Sequence, residues 1–140
     1  MALKRDKLDA IISDLVRERA EWTCEKCNKQ FPEGSRQGLH ASHLFSRGNK
    51  STRWHPDNLF AHCFGCHHRL GSNPVDFYDW ARAQLGDGCF DNLRVRAKAP
   101  RKYTKVEREE MYRHYKEQYE QMRYKRMAGV VGRIEFIAYD

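Results

Sequence analysis

With 140 residues, 26 Lys and Arg against 19 Asp and Glu, and a formal charge of +7, the chain has the size of one domain and the charge of a protein that meets a polyanion, nucleic acid before membrane. Hydrophobic residues make up 40%, but seven Tyr and three Trp are among them, so the aliphatic core is small and calls for a staple such as a structural metal. No apolar run approaches the roughly 20 residues that span a bilayer, and no signal peptide is visible in the charged start Met1-Ala2-Leu3-Lys4-Arg5, so the expected location is the cytosol, where thiols stay reduced.

The first element is an amphipathic helix over 5–20, in which Leu8, Ile11, Ile12, Leu15 and Val16 recur at helical spacing with charges opposite. Cys24-Glu-Lys-Cys27 follows as a knuckle, then a loop containing Gly and Pro. Gly38 to Phe45 reads as a strand, Ser46–Asn58 as a polar connection closed by His55-Pro56-Asp57-Asn58, and Leu59 to His62 as a second strand. Cys63-Phe-Gly-Cys66 makes the second knuckle and enters a short helix, which completes a core over 22–71. Asn73-Pro74 opens a helix over 73–86, with Phe77, Tyr78, Ala81 and Leu85 inward and a stop at Gly86. Six Lys or Arg between Asp91 and Lys105, around a proline, mark 91–103 as an exposed basic linker. Thr104 and Glu107 have capping-box spacing and open a long helix over 104–127, striped by Tyr112, Tyr115, Tyr119 and Met122. In the tail, 128–140, Gly132–Tyr139 alternates enough to add a strand. The whole reads as a single α+β domain over 1–140.

Two Cys-x-x-Cys pairs, 35 residues apart, are the strongest signal in the chain. Two residues between thiolates let a tight turn present both sulfurs to one tetrahedral ion, and four thiolates close its shell. Cys24, Cys27, Cys63 and Cys66 are therefore expected to hold a structural zinc, whose binding energy is folding energy. Neither pair precedes the helix of a βαβ unit, which disfavours a redox motif. Cys89 belongs to neither pair and reads as a partly buried small residue.

Sulfur satisfies the zinc, so the histidines need another account. His55 and His114 read as solvated or packing residues, and His62 and His68 as partners of the second knuckle or bystanders. His40 and His43 on the first strand, Asn58 before the second, and His67 directly after Cys66 form an ordered set. That order resembles the zinc-stapled HNH, or ββα-metal, nucleases of the endonuclease VII type. The likeness extends to the phage NinG (Rap-type) recombination endonucleases through the leading helix, the Ser-His strand, the Arg-containing loop, the Asn and the long charged C-terminal helix. It covers residues 5–127 and is specific over 24–71.

The resemblance implies a small zinc-stapled ββα-metal core flanked by N-terminal and C-terminal helices. It implies His43 as general base, Asn58 as the residue that orients loop and base, and His67 as ligand of a catalytic divalent ion. Where many of these nucleases carry an aspartate ligand, this chain has Ser42. His40 lies on the same face of a regular strand, about 6.6 Å away, and is the candidate replacement; otherwise His67, water and substrate phosphate hold the ion. Mg²⁺ or Mn²⁺ is the usual ion, and two imidazoles would shift preference toward Mn²⁺, Ni²⁺ or Co²⁺. Arg47, Lys50 and Arg53, in the loop between the strands, are candidates to clamp flanking phosphates, while Trp54 either stacks on a base or, the favoured reading, caps the core.

The implied reaction is hydrolysis of DNA phosphodiesters, leaving 5′-phosphate and 3′-hydroxyl, on branched recombination intermediates such as Holliday junctions and D-loops. Cutting a junction symmetrically needs two sites, hence a homodimer, for which the Tyr/Met stripe is a candidate interface, the alternative being that the stripe is simply core. The setting implied is a phage protein in the cytoplasm of a bacterial host. Three rivals stand beside it: a general nicking endonuclease of phage DNA metabolism or packaging, a catalytically inactive zinc-stapled DNA-binding protein, and a zinc-bearing interaction protein whose charge is incidental.

Overall fold

The computed structural model describes residues 4–140; Met1, Ala2 and Leu3, part of the stretch read for a targeting signal, lie outside the described residues. The first helix, α1 (Lys7–Arg19), starts where Asp6 and Asp9 cap each other reciprocally, each carboxylate accepting the other's backbone N–H. Arg17 and Arg19 lie in its last turn, where the helix dipole favours cations.

Two strands, β1 (Leu39–His43) and β2 (Leu59–Cys63), pair antiparallel from Leu39 opposite Cys63 to His43 opposite Leu59. Side chains alternate across this sheet, and each face meets its own set of helices. Leu39, Leu59 and Ala61 join Leu8, Ile12, Leu15 and Val16 of α1 in the larger cluster. On the opposite face Phe60 joins Leu44, Leu70, Phe77, Ala81, Phe90 and Leu93. β2 is thus covered on both sides, which explains its unbroken apolar run Leu-Phe-Ala.

The second cluster is supplied by α2 (Phe64–Gly71), α3 (Pro74–Leu85) and α4 (Asp87–Lys98). Here the expected linker over 91–103 is corrected: residues up to Lys98 are helical. Phe90 and Leu93, one turn apart, bury their side chains, Asp87 sits in the first turn, and Arg96 and Lys98 sit in the last. The last carbonyls of α4 are also occupied, with the Ser51 hydroxyl donating to Arg96 at 2.8 Å and the Asn49 amide to Ala97 at 2.6 Å. Of the cations read as linker composition, Arg94 and Lys98 lie on the exposed face of α4, while Arg96 is half-buried and donates to the Ser51 carbonyl at 2.7 Å.

The long helix α5 (Lys105–Met127) opens with the expected Thr104–Glu107 capping box. Met111, Tyr115 and Met122 are buried against the larger cluster, with Tyr112 and Tyr119 packed beside them. The stripe assigned to a dimer interface therefore covers α1 of its own chain. The tail forms no strand; Ile134 and Phe136 alternate into the core, and the tail is held by side-chain bonds, as in His114 Nε2–H donating to the Ile137 carbonyl at 2.7 Å, and by the Ile134 N–H donating to the Arg19 carbonyl at 3.2 Å. Ladder pairing with β2 is closed to the tail at Ala61, whose N–H donates to the Glu25 carboxylate and whose carbonyl accepts the Glu25 N–H, both at 2.8 Å. No helix among the described residues is long and apolar enough to cross a membrane.

Candidate metal centre and histidine cleft

The four knuckle cysteines converge. Their sulfurs all lie within 4.8 Å of one another, and Cys27 Sγ is 3.7 Å from Cys63 Sγ. A tetrahedral ion with metal–sulfur bonds near 2.3 Å sets its sulfurs about 3.8 Å apart, so the cluster fits a structural ion such as zinc. The sequence folds this way because the first knuckle is a tight hairpin: Cys24 N–H donates to the Lys29 carbonyl, Asn28 N–H donates to the Cys24 carbonyl, and Asn28 takes the left-handed conformation at φ 65°. The second knuckle is the junction of β2 and α2, where Cys63 caps the helix and accepts the Cys66 N–H at 3.5 Å.

Beside this centre, a cleft of about 400 Å³ is lined by His40 and His43 of β1, His67 of α2, Asp9 of α1, Arg5 and Arg47. The three histidines that the sequence singled out thus share one space. His43 Nε2 lies 3.0 Å from the Arg53 carbonyl. A carbonyl only accepts, so Nε2 carries the proton and Nδ1 of the neutral ring is left with its lone pair. Burial pushes the His43 pKa down to about 4, partly opposed by the bond to that carbonyl, with Arg47 and Arg53 adding to the depression. His67 is also lowered, by burial first and then by His40 and His68. Its ring lies parallel to that of His40, at 3° and 4.9 Å between centroids, and its Nδ1 is 2.6 Å from Ser42 Oγ. His40 Nε2 is buried with no hydrogen-bond partner, an orphaned nitrogen beside the cleft.

Asn58 is fully buried and does not line the cleft. Its amide donates to the carbonyls of Phe45 at 2.9 Å and Thr52 at 3.0 Å, and its Oδ1 accepts the Phe45 N–H at 2.7 Å. Every polar atom of the side chain is used to close the 45–58 loop across its base. The side chain therefore braces this loop from within the core.

The three loop cations separate. Arg47 lines the cleft, half-buried and 3.5 Å from Asp9. Lys50 is exposed and borders a different, small cavity with Arg96 and Tyr103. Arg53 is corrected as a phosphate clamp. Its side chain turns inward and gives Asp9 a bidentate pair, Nε to Oδ1 at 2.9 Å and Nη2 to Oδ2 at 2.5 Å. Trp54 is core, as expected, and its Nε1–H donates to the same carboxylate at 2.9 Å.

Asp9 was not singled out by sequence reading. Burial works to raise its pKa, but the bonds from Arg53, Asp6 N–H and Trp54 overcome this and hold it down to about 2. The signal available was the Asp6–Asp9 capping spacing, which marks a helix start and not a partner 44 residues away. Ser42 and His62 were also placed too loosely: Ser42 Oγ is 2.9 Å from Nδ1 of the fully buried His62, whose pKa burial lowers to about 3. Cys89 is half-buried and donates to Asp57 at 3.2 Å. Comparison with protein-family models, with curated proteins and with solved structures gave no match to this chain.

Proposed function

We propose that the protein is a metal-dependent DNA endonuclease of the ββα-metal kind, hydrolysing phosphodiester bonds with His43 as general base. The observation that carries this reading is the His43–Arg53 contact: it leaves Nδ1 unprotonated in a cleft that also holds His40 and His67. A buried imidazole with a pKa near 4 stays neutral at physiological pH, the state in which a ring nitrogen can take a proton from water.

The residues for a catalytic cation are His67 and His40, whose unpartnered Nε2 fits a missing ligand. When bound, a divalent cation would stabilise negative charge on the phosphate and on the departing 3′ oxygen. Asp9 is unsuited as a ligand, because Arg53, Trp54 and the Asp6 N–H occupy its oxygens. A nitrogen-dominated set suits Mn²⁺, Co²⁺ or Ni²⁺ better than Mg²⁺. His43 removes the proton from the attacking water, and Arg47 and Arg5 at the rim hold phosphate. The four-cysteine centre keeps the β2–α2 junction rigid, and so fixes His67, the residue after Cys66.

Branched recombination intermediates are the substrate class that the resemblance favours, and the net charge of +7 supports a nucleic-acid partner without choosing its shape. A second reading, a zinc-stapled DNA-binding protein without catalysis, draws on one observation: Asp9, the carboxylate in the cleft, is fully committed to protein partners. Incubating the zinc-loaded protein with supercoiled plasmid, linear duplex and a four-way junction across Mg²⁺, Mn²⁺, Co²⁺ and Ni²⁺ separates the two. Cleavage with at least one cation is expected; salt-sensitive DNA retention with no cleavage under any would establish the second reading.

A further inference from the structure

His62 is fully buried, yet no nitrogen or oxygen lies within hydrogen-bonding reach of its Nε2. Its surroundings are aromatic, with Trp80 at 4.8 Å and Phe77 at 5.8 Å between centroids in T-shaped arrangements, and Phe60 at 6.1 Å. The face of an aromatic ring is negative, so it accepts an N–H and repels a lone pair. This box favours the tautomer with the proton on Nε2, which leaves Nδ1 bare.

Ser42 Oγ stands 2.9 Å from that bare Nδ1, where only its hydroxyl proton makes a bond. A serine has one such proton. At its other contact, 2.6 Å from His67 Nδ1, it must therefore accept, and His67 must donate. His67 then carries its proton on Nδ1 and keeps an unprotonated Nε2. The parallel His40 ring, 4.9 Å away, restricts rotation of the imidazole out of this arrangement.

We propose that Ser42 and His62 are positioning residues that lock His67 in the Nδ1–H tautomer and thereby keep its Nε2 lone pair ready for a divalent cation, the second half resting on the nuclease reading above. A ligating histidine commonly donates its other N–H to a carboxylate or a carbonyl. Here a serine backed by a buried histidine takes that part, so the residue found where an aspartate ligand was expected acts one step further from the ion.

The test uses the full, zinc-loaded chain with ¹⁵N-labelled histidine and long-range proton–nitrogen correlation spectra, without added divalent cation. Wild type is expected to show His67 protonated on Nδ1 and His62 on Nε2. In His62→Phe the Ser42 hydroxyl is released to donate to His67, so His67 is expected to switch to Nε2–H; in Ser42→Ala its preference for Nδ1–H is expected to disappear. One zinc per chain in each variant reports an intact fold, and His62→Phe carries the test alone if Ser42→Ala fails that check. An Nε2–H tautomer in the wild type, or an unchanged tautomer in the variants, overturns the lock. Mn²⁺ titration followed by broadening of the His67 signals is expected to show about 10- to 100-fold weaker binding in the variants; equal affinity overturns the cation half. A wild type with the assigned tautomers but neither Mn²⁺ broadening nor DNA cleavage overturns the nuclease reading and the cation half with it, while the lock stands.

Discussion

The Arg53 carbonyl accepts Nε2–H of His43 at 3.0 Å, while the Arg53 guanidinium is bound by Asp9 at the start of α1. One loop residue thus orients the candidate base through its backbone and anchors itself through its side chain. His43→Ala removes the proposed base and leaves that anchor in place. Cleavage is expected to fall by about 10² to 10⁴-fold, with zinc content and melting temperature close to wild type, measured on plasmid with Mn²⁺. A variant that loses zinc or melts early would mark His43 as structural.

Asp9→Asn leaves the guanidinium of Arg53 buried without its counter-charge. Breaking a buried pair of this kind costs about 3–5 kcal/mol, read by urea denaturation.

The same pair sets a pH dependence. The folded pKa of Asp9, about 2, lies below its unfolded value of 3.8, so the unfolded state binds the proton more readily. The stabilisation, on the order of 2 kcal/mol, is complete above pH 4 and is lost as pH falls toward 2. Wild type should lose more stability than Asp9→Asn across that interval.

Arg47 and Arg53 have opposite expected phenotypes despite their place in one loop. Arg47→Ala should fold normally and bind DNA more weakly, with the slope of log affinity against log salt reduced by about 1. Arg53→Ala should be destabilised, by an amount similar to Asp9→Asn. Equal loss of DNA affinity at unchanged stability in both variants would contradict the inward placement of Arg53.

Removing the metal tests the staple. Cys66→Ala, or a strong chelator, is expected to abolish cooperative unfolding altogether, because the cluster joins the first knuckle to the β2–α2 junction. Circular dichroism during thermal melting, with and without chelator, measures this.

Much of the molecule was legible because its signals are local. The cysteine spacing, the apolar spacing of α1 and the capping box of α5 each depend on neighbours a few residues apart. α4 was missed because only Phe90 and Leu93 face inward, and a two-residue apolar face is overwhelmed by the three cations of its last two turns and those that follow it. The fates of Arg53, Tyr115 and Ser42 were hidden for another reason. Their partners Asp9, Trp54 and His67 lie 44, 61 and 25 positions away, and no local pattern encodes such pairings. The histidine order pointed to a shared cleft, but which nitrogen of each ring is free is a property of the surrounding hydrogen bonds alone.

The clasp between Glu25 and Ala61 has a consequence beyond the site. A two-stranded sheet offers bare edges on which identical chains can stack, and an unguarded edge is a seed for polymerisation. The knuckle residue Glu25 occupies both backbone groups of Ala61, and the Arg17 guanidinium takes the Leu39 carbonyl at 2.7 Å. Because Glu25 sits between two of the clustered cysteines, an ion held by them would also guard the sheet. Stripped of metal, the chain should leave solution as concentration-dependent aggregate, since the strand its own knuckle had shielded becomes a template for its neighbours.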